Sequence, residues 1–430
     1  MSIKTIDAVV ATSNYVRRQQ VQFDTETGLI TDVGFNLVSK EKVDHFFDDD
    51  CLLFAGMGDI HIHAREDLSG KNCYKEDFIS TQNAALNGGL VHVADMPNNP
   101  IAPIDDESYL AKLQLSLKSE VPILMYAGIG PSTKPLSFEV PYKAYMGPSI
   151  GDLFFKDNQA LDETLSHYKN QWVSFHCEDP EILEECKSCQ DHFKRRPIRA
   201  EIMATNEALK LAEKYNLKAK LCHYSAKEGL NAIRAAKRKG LTVSCEVTPQ
   251  HLFFNEQDIR QLREAEQISF QMNPPIRGSE DQEALIEALK AGDIDYLATD
   301  HAPHSPEEKA RGTSGLTGLD TYGAFTTWLM VLKGFKPEDI ARVACENPGR
   351  FHNQFLPTLS SKFSPLGRFG RGFGFIEKNY SASFTILNTK RPLTVTKSML
   401  KTKAQSSPFL GVTFPGSVEA VFLCGIKKNQ

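Results

Sequence analysis

The sequence lacks any long apolar run. None of its hydrophobic stretches approaches the roughly 20 residues that a membrane-spanning helix requires. The amino-terminal segment, residues 1–7, is typical of a strand and does not resemble a secretion signal. We therefore expect a cytoplasmic protein that is not inserted in a membrane.

An excess of positive charge is also missing. The formal net charge is −5, and no basic stretch is interleaved with aromatic residues, so nucleic acid is not an expected partner. Cysteine is sparse and odd in number, with nine residues in 430. This usage favours free thiols in a reducing compartment over a disulfide framework.

What is present is ordinary for a soluble globular protein. Hydrophobic residues make up 41% of the chain and charged residues 24%, which is enough for a substantial core. The length fits one large domain and a smaller one.

Between residues 51 and 305, short β-rich runs alternate with longer amphipathic stretches, as in βα units around a parallel sheet. Eight such runs can be counted: Phe54–His63, Leu90–Met96, Val121–Ile129, Pro141–Met146, Trp172–Cys177, Ala219–Tyr224, Leu241–Val247 and Ile294–Thr299. Eight parallel strands close a barrel, whose chemistry lies at the carboxyl ends of the strands. We predict an α/β fold, a (β/α)8 TIM barrel over residues 51–354.

Three helices are predicted from local patterns. Apolar positions recur every three to four residues over 74–88 and 199–216, and residues 280–290 end before Gly292. The two chain ends instead show short strand-like runs separated by Gly, Pro, Asn and Asp. We interpret residues 1–50 and 355–430 together as one small β domain.

Four histidines and one aspartate fall at the ends of strand runs. His61 and His63 are two residues apart on one strand, so both imidazoles point the same way. The others end three further runs: His176, His223 and Asp300. Neutral imidazole is a common ligand of zinc and related ions. A metal site is therefore predicted, against the alternative of surface or hydrogen-bonded core histidines.

Lys143 is the unusual residue of this pattern. It lies in the apolar run Pro141–Met146, where a buried ammonium is costly. A neutral lysine amine can react with carbon dioxide to form a carbamate, whose two oxygens can bridge two divalent ions. Two alternatives stay open, a lysine that extends to solvent at a strand end and Asp152 as the bridging group.

Four motifs together resemble the dihydroorotases of the amidohydrolase superfamily. They are Asp59–Arg65 (DIHIHAR), Asp95–Asn98 (DMPN), Cys245–His251 (CEVTPQH) and Thr299–His304 (TDHAPH). The resemblance implies a reversible, zinc-dependent interconversion of N-carbamoyl-L-aspartate and dihydroorotate in pyrimidine biosynthesis. Each motif alone is weak, and the combination is specific.

The resemblance also implies roles for individual residues. His61 and His63 would bind one zinc ion, His176 and His223 the other, and carboxylated Lys143 would bridge them. A hydroxide held between the two ions would attack the ring carbonyl. Asp300 would bind metal and act as the general acid/base that carries the proton to the ring nitrogen.

Substrate recognition is predicted at four positions. Arg65 lies two residues after His63 and can grip the ring carboxylate with its planar guanidinium. The resemblance adds Asn98, Asn273 and His304 as further substrate contacts.

Several alternatives remain at this point. The same metal core serves hydantoinases, dihydropyrimidinases and allantoinases, and a catalytically silent homologue is a further alternative. The sequence leaves open whether a third ion binds near Cys222 and Glu246, whether zinc is the native metal and which direction dominates. It also leaves open the partner enzymes and whether the chain forms a homodimer.

Overall fold

The computed structural model describes residues 2–148, 153–362 and 368–428. Its strands are β1 (Ile3–Ala11), β2 (Val16–Asp24), β3 (Leu29–Gly34), β4 (His45–Phe46), β5 (Cys51–Ala55), β6 (Met57–Ile62), β7 (Leu90–Asp95), β8 (Ile123–Met125), β9 (Ala127–Ile129), β10 (Tyr142–Tyr145), β11 (Trp172–His176), β12 (Lys218–Leu221), β13 (Val243–Val247), β14 (Tyr296–Leu297), β15 (Phe384–Asn388), β16 (Leu393–Thr394), β17 (Thr413–Phe414), β18 (Ser417–Leu423) and β19 (Ile426–Lys428).

Helices alternate with the strands in the central part of the chain. They are α1 (Phe78–Asn87), α2 (Asp106–Ser116), α3 (Asn158–Leu165), α4 (Pro180–Cys186), α5 (His192–Arg195), α6 (Ile198–Tyr215), α7 (Leu230–Arg238), α8 (Pro249–Phe253), α9 (Glu256–Arg260), α10 (Glu264–Ser269), α11 (Ser279–Ala291), α12 (Pro306–Ala310), α13 (Tyr322–Lys333), α14 (Pro337–Ile340), α15 (Asn347–Asn353) and α16 (Leu356–Lys362). No helix in the described ranges has both the length and the apolar character needed to cross a membrane.

Strands β6 to β14 form a closed parallel barrel. Strands β6, β7 and β8 pair in one sheet and β9 to β14 in another. Only Tyr126 separates β8 from β9, so these two short strands together count as one of the eight barrel strands. At the other seam the His63 amide donates to the His301 carbonyl at 2.8 Å, beside a parallel bridge between Ile62 and His301. The predicted (β/α)8 barrel is confirmed.

Two predicted strand runs are interrupted in the structure. The run Phe54–His63 is divided at Gly56, where a Cβ atom would lie 2.1 Å from Val91 Cγ2. The run Val121–Ile129 is divided at Tyr126, whose amide still donates to the Asp95 carbonyl at 3.0 Å. Gly56 is a local signal of its break, because glycine inside a strand often marks a close approach of another segment, whereas the break at Tyr126 has no such signal.

The predicted helices are present as α1, α6 and α11. Asp77 caps α1 by accepting the Ser80 amide at 2.8 Å. Helices α6 and α11 end at Asn216 and Gly292, which adopt the left-handed conformation with φ of 51° and 85°. The three patterns therefore predicted helices that begin and end within a few residues of those observed.

The amino- and carboxyl-terminal segments share one sheet. Its strand order is β19-β18-β15-β5-β1-β2-β3, and β4 pairs with β1. Strand β5 lies between β1, which runs parallel to it, and β15, which runs antiparallel. The predicted small β domain made of both chain ends is confirmed, while its exact limits stay a prediction. After Gly56 the chain enters the barrel.

Candidate functional site

His61 and His63 meet Asp300 across the closing seam of the barrel. Both side chains leave the end of β6, and their ring centroids are 5.6 Å apart. Asp300 Oδ1 lies 3.3 Å from His61 Nε2 and 3.0 Å from His63 Nε2. One ligand atom of each residue lies within 4.8 Å of the others. These three buried groups can hold one divalent ion.

His176 and His223 form the opposite side of the same cluster. His176 ends β11 and His223 follows β12, and His176 Nδ1 lies 2.9 Å from His223 Nε2. The His223 ring is 5.2 Å from that of His61. Glu178 Oε2 lies 2.8 Å from His176 Nε2. The parallel strands thus bring the four predicted histidines into one cluster at the carboxyl ends of the barrel strands.

Burial keeps these histidines neutral. It lowers the pKa of His61, His63 and His223 well below 6.5, and neighbouring positive charges such as Arg65 and Lys143 add to the effect. Burial likewise raises the pKa of Asp300 to about 7. Neutral imidazoles present free lone pairs, which is the state that a metal ligand requires.

Lys143 projects into this cluster from β10. Its side chain is 0% exposed, and within the described ranges its Nζ atom has no hydrogen-bond partner. His223 Nδ1 is without a partner in the same part of the chain. Unpaired buried polar atoms of this kind are costly. Together with the imidazole and carboxylate donors, they fit a site that is completed by metal. Asp152, the alternative bridge, lies outside the described residues.

Three of the four predicted substrate residues line the pocket of the cluster, and the fourth, His304, contacts one of them. Arg65, with φ of 65°, is 3% exposed. Its Nη2 atom lies 3.2 Å from His304 Nε2. Asn98 Oδ1 lies 2.7 Å from His63 Nδ1. Arg65, Asn98 and Asn273 line the same pocket as the histidines and Asp300, and His304 stands behind Arg65.

Three residues of the site were not predicted as functional. Tyr145 lines the pocket. It lies two residues after Lys143 on β10, and this spacing indicates that both side chains are on the same face of the strand. Glu246 Oε1 contacts His61 Nδ1, and Lys220 Nζ contacts Glu246 Oε2. Among the described residues His61, Cys222 and Glu246 form a second group of possible ligands, where Lys220 already supplies a positive charge.

Comparisons with known proteins agree with this geometry. A model of the amidohydrolase family matches residues 52–355. A dihydroorotase of Shouchella clausii is 32% identical over 394 residues, covering 87% of this chain and 86% of the relative. A dihydroorotase of Halalkalibacterium halodurans is 30% identical over 439 residues, covering 97% and 96%.

Solved structures share the fold at lower identity. The L-hydantoinase (dihydropyrimidinase) of Arthrobacter aurescens superposes with a TM-score of 0.85 at 20% identity, covering 99% of this chain and 96% of that one. A D-hydantoinase gives 0.82 at 20% identity, covering 99% and 95%. Taken with the family match over most of the barrel, these relatives show that the chain belongs to the amidohydrolase family.

Proposed function

We propose that the protein is a dihydroorotase, which interconverts N-carbamoyl-L-aspartate and dihydroorotate in pyrimidine biosynthesis. The curated relatives that are dihydroorotases support this assignment over most of the chain. The single observation that carries it is the burial of Arg65 beside the histidine cluster, where it forms no ion pair within the described ranges.

Arg65 is a buried guanidinium with no carboxylate at salt-bridge distance among the described residues. Its Nε atom donates to the Pro303 carbonyl at 3.3 Å, and its Nη2 atom faces His304. No ion pair involves Arg65 in the part of the chain that the structure describes. Asp300, Asp95 and Glu308 attract this charge without forming an ion pair with it, so a bound anion would stabilise it further. Dihydroorotate and N-carbamoyl-aspartate both carry such a carboxylate, whereas the simple hydantoin and dihydropyrimidine rings do not.

We further propose two zinc ions at the cluster, one held by His61 and His63 and the other by His176 and His223. Lys143, after its amine adds to carbon dioxide and loses a proton, would bridge them, and Asp300 would complete the ligand set. The orphaned amine of Lys143 supports this arrangement, because a carbamate would give that buried nitrogen and its new oxygens partners.

The proposed chemistry divides between the ions and the chain. Bound divalent ions would polarise the ring carbonyl and lower the pKa of attacking water. Asp300 would take the proton of that water and deliver it to the ring nitrogen as the carbon–nitrogen bond breaks. Arg65 would orient the ring through its carboxylate. In the synthetic direction Asp300 would remove a proton from the carbamoyl nitrogen, and water would leave.

The setting is proposed as cytoplasmic, with small-molecule substrates. The cysteines within the described ranges are all free thiols, which supports a reducing compartment. A homodimer is compatible with this proposal and is not required by it.

The test is a substrate panel run on the metal-loaded protein. Dihydroorotate and N-carbamoyl-L-aspartate are assayed beside hydantoin, dihydrouracil and allantoin, with metal content measured on the same sample. Turnover of the first pair with about two metal equivalents is expected. Turnover of an uncharged ring instead would identify another cyclic amidase, and metal binding without turnover would identify a silent homologue.

A further inference from the structure

The short helix α12 follows the last barrel strand, and two of its charged residues, Glu308 and Lys309, contact residues near the pocket. Glu308 Oε2 lies 3.3 Å from His304 Nδ1, and Glu308 Oε1 accepts from Lys75 Nζ at 2.8 Å. With Nδ1 turned to Glu308, His304 presents Nε2 to Arg65. Glu308 therefore fixes the orientation of His304, one of the predicted substrate contacts.

Lys309 contacts two other segments. Its Nζ atom donates to the backbone carbonyls of Gln271 at 3.1 Å, Thr313 at 3.0 Å and Gly315 at 2.8 Å. An ammonium has three N–H donors, so these three acceptors use all of them. Gln271 lies two residues before Asn273, and Gly315 lines the pocket of the metal cluster.

The contacts of Lys309 are not those of an ordinary surface lysine. Across the described ranges it forms no ion pair, and its side chain is half-buried between the two segments. The Gly315 amide donates to the Gln271 carbonyl at 2.9 Å, so a backbone bond and the lysine join the same two segments. Gly315 packs closely on the barrel, since a Cβ atom there would lie 2.6 Å from the Ala302 carbonyl oxygen.

An apolar cavity of about 580 Å³ lies directly behind this junction. Lys309, Gly315 and His304 line it, together with side chains such as Phe270 and Leu410. The Leu316 carbonyl accepts the Ala302 amide at 2.7 Å, so the junction adds to a backbone contact that holds this segment against the barrel.

We propose that Lys309 is a positioning residue, which holds segments 271–273 and 313–315 together as the wall of the substrate pocket opposite the metal cluster. Asn273 and the backbone at Gly315 then face the ring that Arg65 grips. The link to substrate rests on the proposed dihydroorotase function. The link between the two segments does not.

The test compares Lys309→Met with Lys210→Met. Methionine keeps the length and loses every N–H donor. Lys210 is a matched control because it lies on α6 with a side chain that is 69% exposed and an ammonium that binds Glu207 on the same helix. Burial lowers the pKa of Lys309 to about 7, so both are measured at pH 6.5, where the ammonium form prevails.

Two readouts separate positioning from general stability. In Lys309→Met we expect amide hydrogen exchange of residues 312–316 to accelerate about tenfold or more, because hydrogen bonds that close the segment are lost. We also expect KM for dihydroorotate to rise about tenfold while kcat changes much less, because substrate binding rather than chemistry is disturbed. Metal content is expected to be unchanged, and Lys210→Met to match the wild type in every measurement.

Unchanged exchange and unchanged KM in Lys309→Met would overturn the proposal, and so would faster exchange with an unchanged KM. If Lys309→Met does not fold, Lys309→Arg replaces it, with an intermediate rise in KM expected and a wild-type KM and exchange rate as the contrary result. Should the wild type not turn over dihydroorotate, the proposed function fails, and the exchange measurement still tests the link between the segments.

Discussion

Strained backbone conformations coincide with the proposed chemistry at three residues. Arg65, His223 and Asp300 have φ values of 65°, 37° and 49°, a region that residues other than glycine rarely adopt. Each follows a barrel strand and turns its side chain toward the cluster. Such conformations cost about 1–3 kcal/mol each and persist where the surroundings enforce them.

Arg65 allows a direct test of substrate choice. In Arg65→Met we expect turnover of dihydroorotate to fall at least about a hundredfold, because two charge-assisted hydrogen bonds together are worth roughly 3 kcal/mol. Metal content should not change, since Arg65 is not placed as a ligand. Steady-state kinetics with metal analysis measures both, and wild-type turnover would remove the carboxylate clamp from the mechanism.

Lys143 gives a second prediction at the scale of single residues. Lys143→Ala should lose both metal and activity, because the proposed bridging carbamate could not form. Short carboxylic acids in the buffer should restore part of both, since a carboxylate can occupy the vacated space. Metal analysis and turnover are measured with and without added acetate. Full activity without rescue would contradict the bridging role and bring Asp152 forward.

Sequence reasoning found the residues of this site that belong to local motifs and missed those that act through distant contacts. The spacing of His61 and His63 on one strand was sufficient to place them together. Glu246 and Lys220 were not predicted as a pair, because their contact depends on two neighbouring strands and on the charge that a buried lysine requires.

At the scale of the elements, Asp59 joins the first and last strands of the barrel. Its carboxylate accepts the Thr299 amide at 3.1 Å and the Thr299 hydroxyl at 2.5 Å, and it also accepts the His61 amide at 3.1 Å. These bonds join β6 to the residues that follow β14, a strand that ends at Leu297 and not at the predicted Thr299. Residues 240 positions apart give no local signal of such a contact.

We expect Asp59→Ala to destabilise the fold by about 3 kcal/mol or more, because buried donors lose their acceptor. Asp105→Ala is the control. Asp105 also accepts a backbone amide, that of Ser108 at 2.8 Å, yet it caps an exposed helix start, so the loss should be about 1 kcal/mol. Denaturant unfolding of the metal-free proteins measures both. Equal losses of unfolding free energy would show that the hydrogen bonds of Asp59 between β6 and the end of β14 contribute no more than an exposed helix cap.

At the scale of the whole molecule, buried histidines away from the proposed metal site couple stability to pH. His352 is fully buried at the other end of the barrel, with its Nδ1 atom 3.1 Å from that of His92. Burial lowers the pKa of His352 from 6.5 to about 3. A histidine with a lowered pKa in the folded state favours folding above pH 6.5, and this contribution is lost as the pH falls toward 3.

The stability difference between the wild type and His352→Gln should therefore depend on pH. Between pH 7.5 and pH 5 it should move by about 2 kcal/mol in favour of the variant, because only the wild type must keep this imidazole unprotonated. Urea unfolding of the metal-free proteins at both pH values measures the change, and titrating groups that do not interact with His352 cancel in the difference. A constant difference would mean that the pKa of His352 is the same in the folded and unfolded states.

The position of β5 between β1 and β15 has a consequence for biosynthesis. During translation, β1, β2, β3 and β5 are synthesised first and the barrel strands next. Strands β15 and β18 leave the ribosome only after the barrel. Until then one border of β5 has open backbone donors and acceptors, which can recruit a strand from another nascent chain. Completion of the last strands, rather than of the barrel, is therefore the step that protects the newly made polypeptide from self-association.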